Sequence, residues 1–196
     1  MARFPEAAVI LAGGRSRRLG QDKAAVVVEG QTMLARMIGL ARGYCPLVAV
    51  CGRDPGQPAV QWFPDELPGK GPMGGIVTGL AKLRVSCLVL PCDLPFMDGP
   101  TLERLFQAWR EKPAGAVITT FKQSWTGYIE ALVAVYEPEA EPMLRQGLAS
   151  GVSVLRAIPE ASRQLVPYAQ DQGRPFFNLN TPDNLAELLS APGPNR

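Results

Sequence analysis

The sequence contains no histidine, and that absence removes several kinds of chemistry at once. A Ser-His-Asp or Cys-His nucleophile system needs an imidazole to take the proton. A histidine zinc ligand and an imidazole pH switch are likewise excluded. Acid–base work falls to carboxylates, lysine and tyrosine, which favours reactions accelerated by fixed charge. Cysteine is sparse: Cys45, Cys51, Cys87 and Cys92 form no C-x-x-C pair and sit in or beside apolar runs. They read as packing residues in a reducing compartment, not as a disulfide or zinc framework. A strong charge of either sign is also missing, with 20 Lys and Arg against 18 Asp and Glu and a net charge of +2. Phosphate-backbone binding usually leaves a strongly basic face, so this balance argues against a nucleic-acid partner. It leaves room for a local cationic cluster around a small phosphorylated ligand. No window approaches the ~18 uninterrupted apolar residues of a membrane span. The first apolar run has no basic stretch ahead of a long apolar core and ends early at Gly13 and Gly14, unlike a secretory signal. The expectation is a cytoplasmic protein with no membrane partner.

What is present is ample apolar content. Of the 196 residues 46% are hydrophobic and 19% charged, enough to bury roughly 70% of the surface the unfolded chain exposes. Short apolar runs alternate with helical patterns. Residues 7–12 (AAVILA) form a continuous run ending in two glycines, as a fully buried strand does. Residues 26–28, 47–51, 60–63, 87–91, 116–119 and 131–135 are further strand candidates. Helical patterns fall at 32–40, 76–83, 101–109, 139–148, 152–158 and 182–189. In the third of these, Leu102, Leu105, Phe106 and Trp109 recur at i, i+3, i+4 and i+7 and mark a core face. Strands alternating with helices predict a three-layer α/β/α fold on a mostly parallel mixed sheet. One domain over residues 1–190 with a loose tail at 191–196 is the simplest division, since no repeat or low-complexity linker interrupts the chain.

Four constellations carry chemistry. In the first, the 7–12 strand runs into Gly13 and Gly14, and Arg15, Arg17, Arg18 and Lys23 follow within nine residues. Glycines let a backbone approach an anion closely, and successive free N–H groups make a concave anion site. Neighbouring cations complete a triphosphate cradle, although the spacing is not that of a Walker A loop. In the second, Asp93 stands just past the 87–91 strand, where open α/β sheets bind ligands. A lone carboxylate there suits Mg²⁺, which is often held by one or two carboxylates plus substrate phosphates; Asp98 is better placed to cap the next helix. The third is the pair Asn178 and Asn180, two residues apart on an extended segment and so on one side of it. They either orient a metal or phosphate or serve turn and cap chemistry. The fourth, Gly69 to Gly75 (GKGPMGG), matches G-x-G-x-x-G, but a turn-like segment precedes it and Pro72 interrupts it. It reads as a flexible loop opening the 76–83 helix, with Asp65 as either a ligand carboxylate or a solvated turn residue.

Together these residues carry a resemblance. LAGGRSRRLGQDKA is similar to the LAGGxSxRMGxDKA pattern of the molybdenum cofactor guanylyltransferase (MobA) family, within the MobA-like NTP transferases. The likeness extends to GPMGGI, CDLPF and FFNLNTPDNL, so it spans positions 11 to 185. It implies a Rossmann-like nucleotidyltransferase fold, GTP and a molybdopterin-type cofactor as substrates, and molybdoenzymes or other cofactor-pathway proteins as partners. Leu11, Ala12 and Gly13 would contact the nucleotide through their backbone, and Lys23 its phosphates. Asp65 would help bind guanosine, whose adjacent N1–H and N2 amino donors need a carboxylate or carbonyl. Asp93 would bind nucleotide and Mg²⁺, and Asn178 and Asn180 would lie near the site. The chain departs from the family at Leu19, at Gly52 where Asn often stands, and at residues 128–132, where a proline is lacking.

The implied reaction transfers GMP from GTP to a phosphate that is already ionised, so no general base is needed. Gly14 and the other loop amides, Arg15, Arg17, Arg18, Lys23 and Mg²⁺ on Asp93 would offset anion repulsion and the charge growing on pyrophosphate. The pterin would take a groove beyond Asp93, built partly from residues 125–130 and the asparagine motif. The alternatives are a CTP-dependent molybdopterin cytidylyltransferase, another phosphate-acceptor nucleotidyltransferase, and a nucleotide-binding cofactor carrier without catalysis.

Overall fold

The computed structural model describes residues 4–13, 23–28, 30–64, 66–67, 69–179 and 184, with the backbone alone for Lys23. In chain order the strands are β1 (Ala7–Ala12), β2 (Val27–Val28), β3 (Gln31–Thr32), β4 (Leu47–Gly52), β5 (Gln61–Phe63), β6 (Cys87–Pro91), β7 (Ile118–Gln123), β8 (Ile129–Tyr136) and β9 (Arg163–Tyr168). The helices are α1 (Met33–Arg42), α2 (Gly71–Leu83), α3 (Gly99–Arg110), α4 (Ala140–Ala149) and the single turn α5 (Val154–Ala157). Among the described residues seven strands form one sheet in the order β5-β4-β1-β6-β8-β7-β9, while β2 and β3 make a small separate ladder. β1 runs parallel to β4 and β6, β4 parallel to β5, and β7 parallel to β9; β8 is antiparallel to both of its neighbours. The expected mostly parallel mixed sheet is therefore present.

The alternation of side chains along β1 separates the two helical layers. Ala8, Ile10 and Ala12 pack with Leu34, Met37 and Ile38 of α1 and with Leu102, Leu105 and Phe106 of α3. Ala7, Val9 and Leu11 pack on the other face with Ile76, Val77 and Leu80 of α2 and Leu144 of α4. A strand covered on both faces must be apolar throughout, which is why residues 7–12 read as an unbroken run. The four cysteines are free and buried, as expected. Thr32 caps α1 by accepting from the Ala35 N–H at 3.1 Å. Asp98 caps α3 by accepting from the Thr101 N–H at 2.8 Å.

Four elements differ from the sequence reading in ways that bear on the site. α2 begins at Gly71, so most of the expected glycine loop is helix. Pro72 sits in its first turn, where a missing N–H costs nothing. Gly75 and Gly79 allow α2 to lie close on β1: a Cβ at these positions would stand 2.8 Å from Leu11 Cδ2 and 2.7 Å from Val9 Cγ2. The expected strand at 116–119 is β7 at 118–123, and the expected helix at 152–158 shrinks to α5. β9 was not anticipated, because its half-buried sequence RQLVPY carries polar residues and Pro167, as an edge strand can. The expected helix at 182–189 lies outside the described residues, apart from Asn184.

Candidate active site at the carboxyl ends of three parallel strands

β1 lies between β4 on one side and β6 on the other, so the connection direction reverses there. A crevice outside the carboxyl ends of the strands at such a switch point is the usual ligand site of an open α/β sheet. The backbone builds this crevice with short contacts. The Cys92 N–H donates to the Leu11 carbonyl at 3.2 Å, and the Arg53 N–H donates to the Ala12 carbonyl at 3.1 Å. Gly52 has φ of +106°, and a Cβ on it would meet Gly13 Cα at 2.8 Å and Gly13 N at 2.9 Å. Gly52 is thus required both by its left-handed conformation and by the approach of Gly13. The departure from the family's asparagine at this position keeps two backbones in contact. The Trp62 indole N–H locks the same turn, donating to the Gly52 carbonyl at 2.9 Å.

Asp93 follows β6 in a tight turn and is half-buried. Its carbonyl accepts from the Leu179 N–H at 2.9 Å, which brings the asparagine segment beside it. The Arg36 guanidinium donates to the Pro95 carbonyl at 3.3 Å and ties the turn to α1. Since Asp98 caps α3, the Asp93 carboxylate is not committed to that role. Asn178 is exposed and its amide donates to the Phe176 carbonyl at 3.1 Å, which directs its side-chain oxygen.

Leu11, Ala12, Gly13, Asp93 and the backbone beside Asn178 are therefore gathered at one edge of the sheet. Gly14, Arg15, Arg17, Arg18, Asp65 and Asn180 lie outside the described residues. Lys23, which comes after the three arginines in the chain, opens a 3-10 turn, Lys23–Ala25. Among the described residues no group of three or more Cys, Asp or Glu side chains clusters as a metal cage. One carboxylate with oxygen-bearing neighbours instead fits a hard divalent cation that takes its remaining ligands from phosphates and water.

Two cavities flank the segment that carries Asn178. The smaller, about 250 Å³, is bounded by Pro91, Leu94, Tyr128, Glu130, Ser153 and Asn178, among others. It owes its shape to an irregularity of β8. Thr120 pairs with Ala134 and Lys122 with Ile129, so residues 130–133 loop out opposite Phe121. Thr120 Oγ1 donates towards the Glu130 and Val133 carbonyls at 2.8 and 3.1 Å, and the buried Tyr136 hydroxyl donates to the Ala131 carbonyl at 2.6 Å. The larger, about 530 Å³, is bounded by Phe96, Trp125, Tyr168, Arg174, Phe176 and Phe177, with three further residues. The expected acceptor segment 125–130 is thus split, Trp125 facing one cavity and Tyr128 to Glu130 the other. Sequence reasoning missed Trp62, Arg36, Ser153 and Arg174. No motif marks them: Trp62, Arg36 and Arg174 act through contacts distant in sequence, and Ser153 is placed by lining the smaller cavity.

The Tyr168 phenol is raised above its ordinary range, first by burial and then by its 2.6 Å hydrogen bond to Glu130. Burial likewise pushes the Cys45 and Cys87 thiols up to about 12. A thiol so shifted is no nucleophile at neutral pH.

A family model described as the MobA-like NTP transferase domain matches residues 8–173. A Chloroflexus aggregans protein named probable molybdenum cofactor guanylyltransferase is 32% identical over 191 residues, covering 90% of each chain. A Synechococcus elongatus protein of the same name is 34% identical over 161 residues, covering 74% of this chain and 78% of its own. Among solved structures, the molybdopterin-guanine dinucleotide biosynthesis protein A of Archaeoglobus fulgidus is similar with a TM-score of 0.71 and 26% identity. That match covers 93% of this chain and 96% of the other.

Proposed function

From the chain's membership of the MobA-like NTP transferase family, a nucleotidyltransferase family, we propose that it transfers GMP from GTP to the phosphate of a molybdopterin-type cofactor and releases pyrophosphate. The observation that carries this reading is the backbone crevice of Gly13, Gly52 and Arg53 at the ends of β1 and β4, with Asp93 across from it at the end of β6. The names of relatives 32–34% identical over most of the chain support the choice of substrates.

In this reading an ionised oxygen of the acceptor phosphate attacks the α-phosphorus of GTP, and the bond to the β-phosphate's bridging oxygen breaks. The nucleophile already carries its charge, so a chain without histidine lacks nothing the reaction needs. The obstacles are repulsion between two anions and charge accumulating on pyrophosphate. The Leu11, Ala12, Gly13 and Gly14 backbone holds the nucleotide, and Lys23 addresses its phosphates. Arg17 and Arg18, assisted by Arg15, supply fixed positive field at the leaving group. Asp65 accepts from the guanine edge. Asp93, with phosphate oxygens, would hold Mg²⁺, which when bound neutralises phosphate charge. Asn178 and Asn180 orient the acceptor, and holding both reactants in line supplies the proximity contribution.

The test is a nucleotide panel with purified acceptor and pyrophosphate release as readout. GTP turnover well above CTP and ATP is expected. A preference for CTP moves the chain to the cytidylyltransferase reading, and nucleotide binding without turnover on any acceptor moves it to a carrier.

A further inference from the structure

The larger cavity has a wall chemistry that the transfer of a nucleotide does not use. Its boundary is dominated by rings: Phe96, Trp125, Tyr168, Phe176 and Phe177. These rings already hold one another. Tyr168 stacks on Phe176 with centroids 4.4 Å apart, Trp125 stands edge-on to Tyr168 at 5.4 Å, and Phe96 tilts against Phe177 at 5.7 Å. Trp125 nevertheless remains 44% exposed. A half-exposed indole held upright by a buried partner offers a flat face at little entropic cost. At about 530 Å³ the cavity is in the range that encloses small organic ligands.

One cation stands at its rim. The Arg174 guanidinium lies 4.6 Å from the Phe96 ring centroid and is exposed, and no carboxylate among the described residues pairs with it. An arginine supported on a ring face is oriented before any ligand arrives. Polar anchoring comes from the residues bonded to Tyr168 and beside it. Gln123 Nε2 donates to Glu130 Oε1 at 3.1 Å, Thr126 Oγ1 donates to Gln123 Oε1 at 2.6 Å, and the Tyr168 hydroxyl donates to the same Glu130 oxygen at 2.6 Å. This chain of bonds fixes the position of Tyr168 behind Trp125.

We infer that this aromatic cavity binds the fused heteroaromatic rings of the acceptor, stacked on Trp125, with Arg174 facing an anionic substituent. The inference rests on the acceptor being of the pterin class. The connection to the reaction is short: Phe176 and Phe177 line this cavity, Asn178 lines the smaller one, and Leu179 is bonded to the Asp93 carbonyl. The rings therefore sit on one side of the 176–178 segment while the reacting end crosses it towards Asp93.

The test is calorimetric titration with pterin-6-carboxylate, a flat fused ring carrying an anion. It needs neither GTP nor turnover, so its outcome is separate from whether the chain transfers GMP. Wild type should bind the probe. Trp125→Ala and Arg174→Gln should each weaken binding at least tenfold, with Trp125→Phe restoring most of the loss, and unchanged melting curves exclude unfolding. Arg145→Gln, which removes a distant positive charge on α4, should stay within twofold. Saturating GTP should leave probe affinity unaltered. No binding by wild type, losses confined to Tyr128→Ala in the smaller cavity, or displacement of the probe by GTP would each overturn the assignment. If the probe behaves as expected while GTP and molybdopterin give no pyrophosphate, the proposed reaction fails and the ring site stands.

Discussion

The sheet has two halves that work by different means. On one side β5, β4, β1 and β6 run parallel, the inner three buried on both faces and β5 an exposed edge; β4, β1 and β6 finish together in backbone: glycines, carbonyls and amides of Gly13, Gly52, Arg53 and Cys92. On the other side β8, β7 and β9 mix directions, loop out at residues 130–133, and present side chains: Trp125, Tyr128, Glu130, Tyr168 and Arg174. A phosphate chain is the same in every nucleoside triphosphate, so a rigid backbone cradle can serve it. An acceptor has a particular ring system and shape, which only side chains in cavities can read. On the proposed reading the division says where variants should act: changes in the parallel half should alter nucleotide behaviour, and changes in the mixed half acceptor behaviour.

The largest effect is expected at the seam. Asp93→Ala should lower turnover by about 100-fold or more, roughly 2.7 kcal/mol of barrier, while the protein still folds. Mg²⁺ titration of residual activity checks the assignment. A loss under about tenfold, roughly 1.4 kcal/mol, would remove Asp93 from any metal role. Next comes the backbone contact. Gly52→Val places a branched side chain against Gly13 at a φ of +106°. Overpacking and a left-handed β-branched residue together should cost about 2–4 kcal/mol in urea unfolding and raise KM for GTP at least tenfold. Gly115→Ala is the control, with a φ of +86° but nothing within 4 Å; it should cost about 1–2 kcal/mol and leave KM alone. Equal effects on KM would mean that the Gly13–Gly52 approach does not shape the cradle.

The same division explains what was legible in the sequence. β1, β4 and β6 were readable because burial on both faces forces continuous apolar runs, and Asp93 because it directly follows one of them. α3 was readable from its single apolar face and its Asp98 cap. β9 was not, since an edge strand with Pro167 carries no clear alternation. Gly75 looked like a loop residue and Gly79 like any position of the expected 76–83 helix, whereas their smallness serves the contact of α2 with Leu11 and Val9, a tertiary fact invisible in local pattern. The site divides likewise. The glycine and aspartate positions were named from chemistry and spacing, while Trp62 and Arg174 act across turns that no spacing rule connects to them.

Smaller effects sharpen the comparison within the parallel half. Lys23 follows β1, and Lys23→Ala should weaken GTP binding more than GMP binding, because only the triphosphate extends to the terminal phosphates. Calorimetry with both nucleotides decides it, and equal losses mean the lysine addresses something else. Asp65 follows β5, and Asp65→Ala should narrow the preference for GTP over CTP by about tenfold while kcat at saturating GTP falls less. Competition between equal GTP and CTP is the measurement. An unchanged ratio would assign base choice to other groups around Gly52 and Arg53. Neither variant should alter affinity for pterin-6-carboxylate.

The last effect is absent at neutral pH and appears only in alkali. All four cysteines, Cys45, Cys51, Cys87 and Cys92, lie in the parallel half or its flanking turns, whereas the raised Tyr136 and Tyr168 phenols belong to the mixed half. For Cys45 and Cys87 burial raises the thiol from 9.0 to about 12. The folded protein therefore keeps these protons after the unfolded chain has begun to lose them. The stability they confer is complete below pH 9 and drains away as pH rises from there towards 12. At pH 10 each buried thiol should withdraw about 1.4 kcal/mol from folding. The tyrosines begin the same decline one pH unit later, from their ordinary value of 10.0. Urea unfolding at pH 8 and pH 10 should accordingly show a smaller loss for the Cys45→Ala, Cys87→Ala double variant than for wild type, by about 3 kcal/mol if both thiols stay protonated in the native fold. The comparison uses the change with pH, so the cavities left by the substitutions cancel. Thiol labelling at pH 8 supplies the second readout, and it should be slow until the parallel half opens. Rapid labelling of either cysteine in the native protein, or an alkaline loss that the double variant does not reduce, would show that the nucleotide half is less tightly closed than its buried strands indicate.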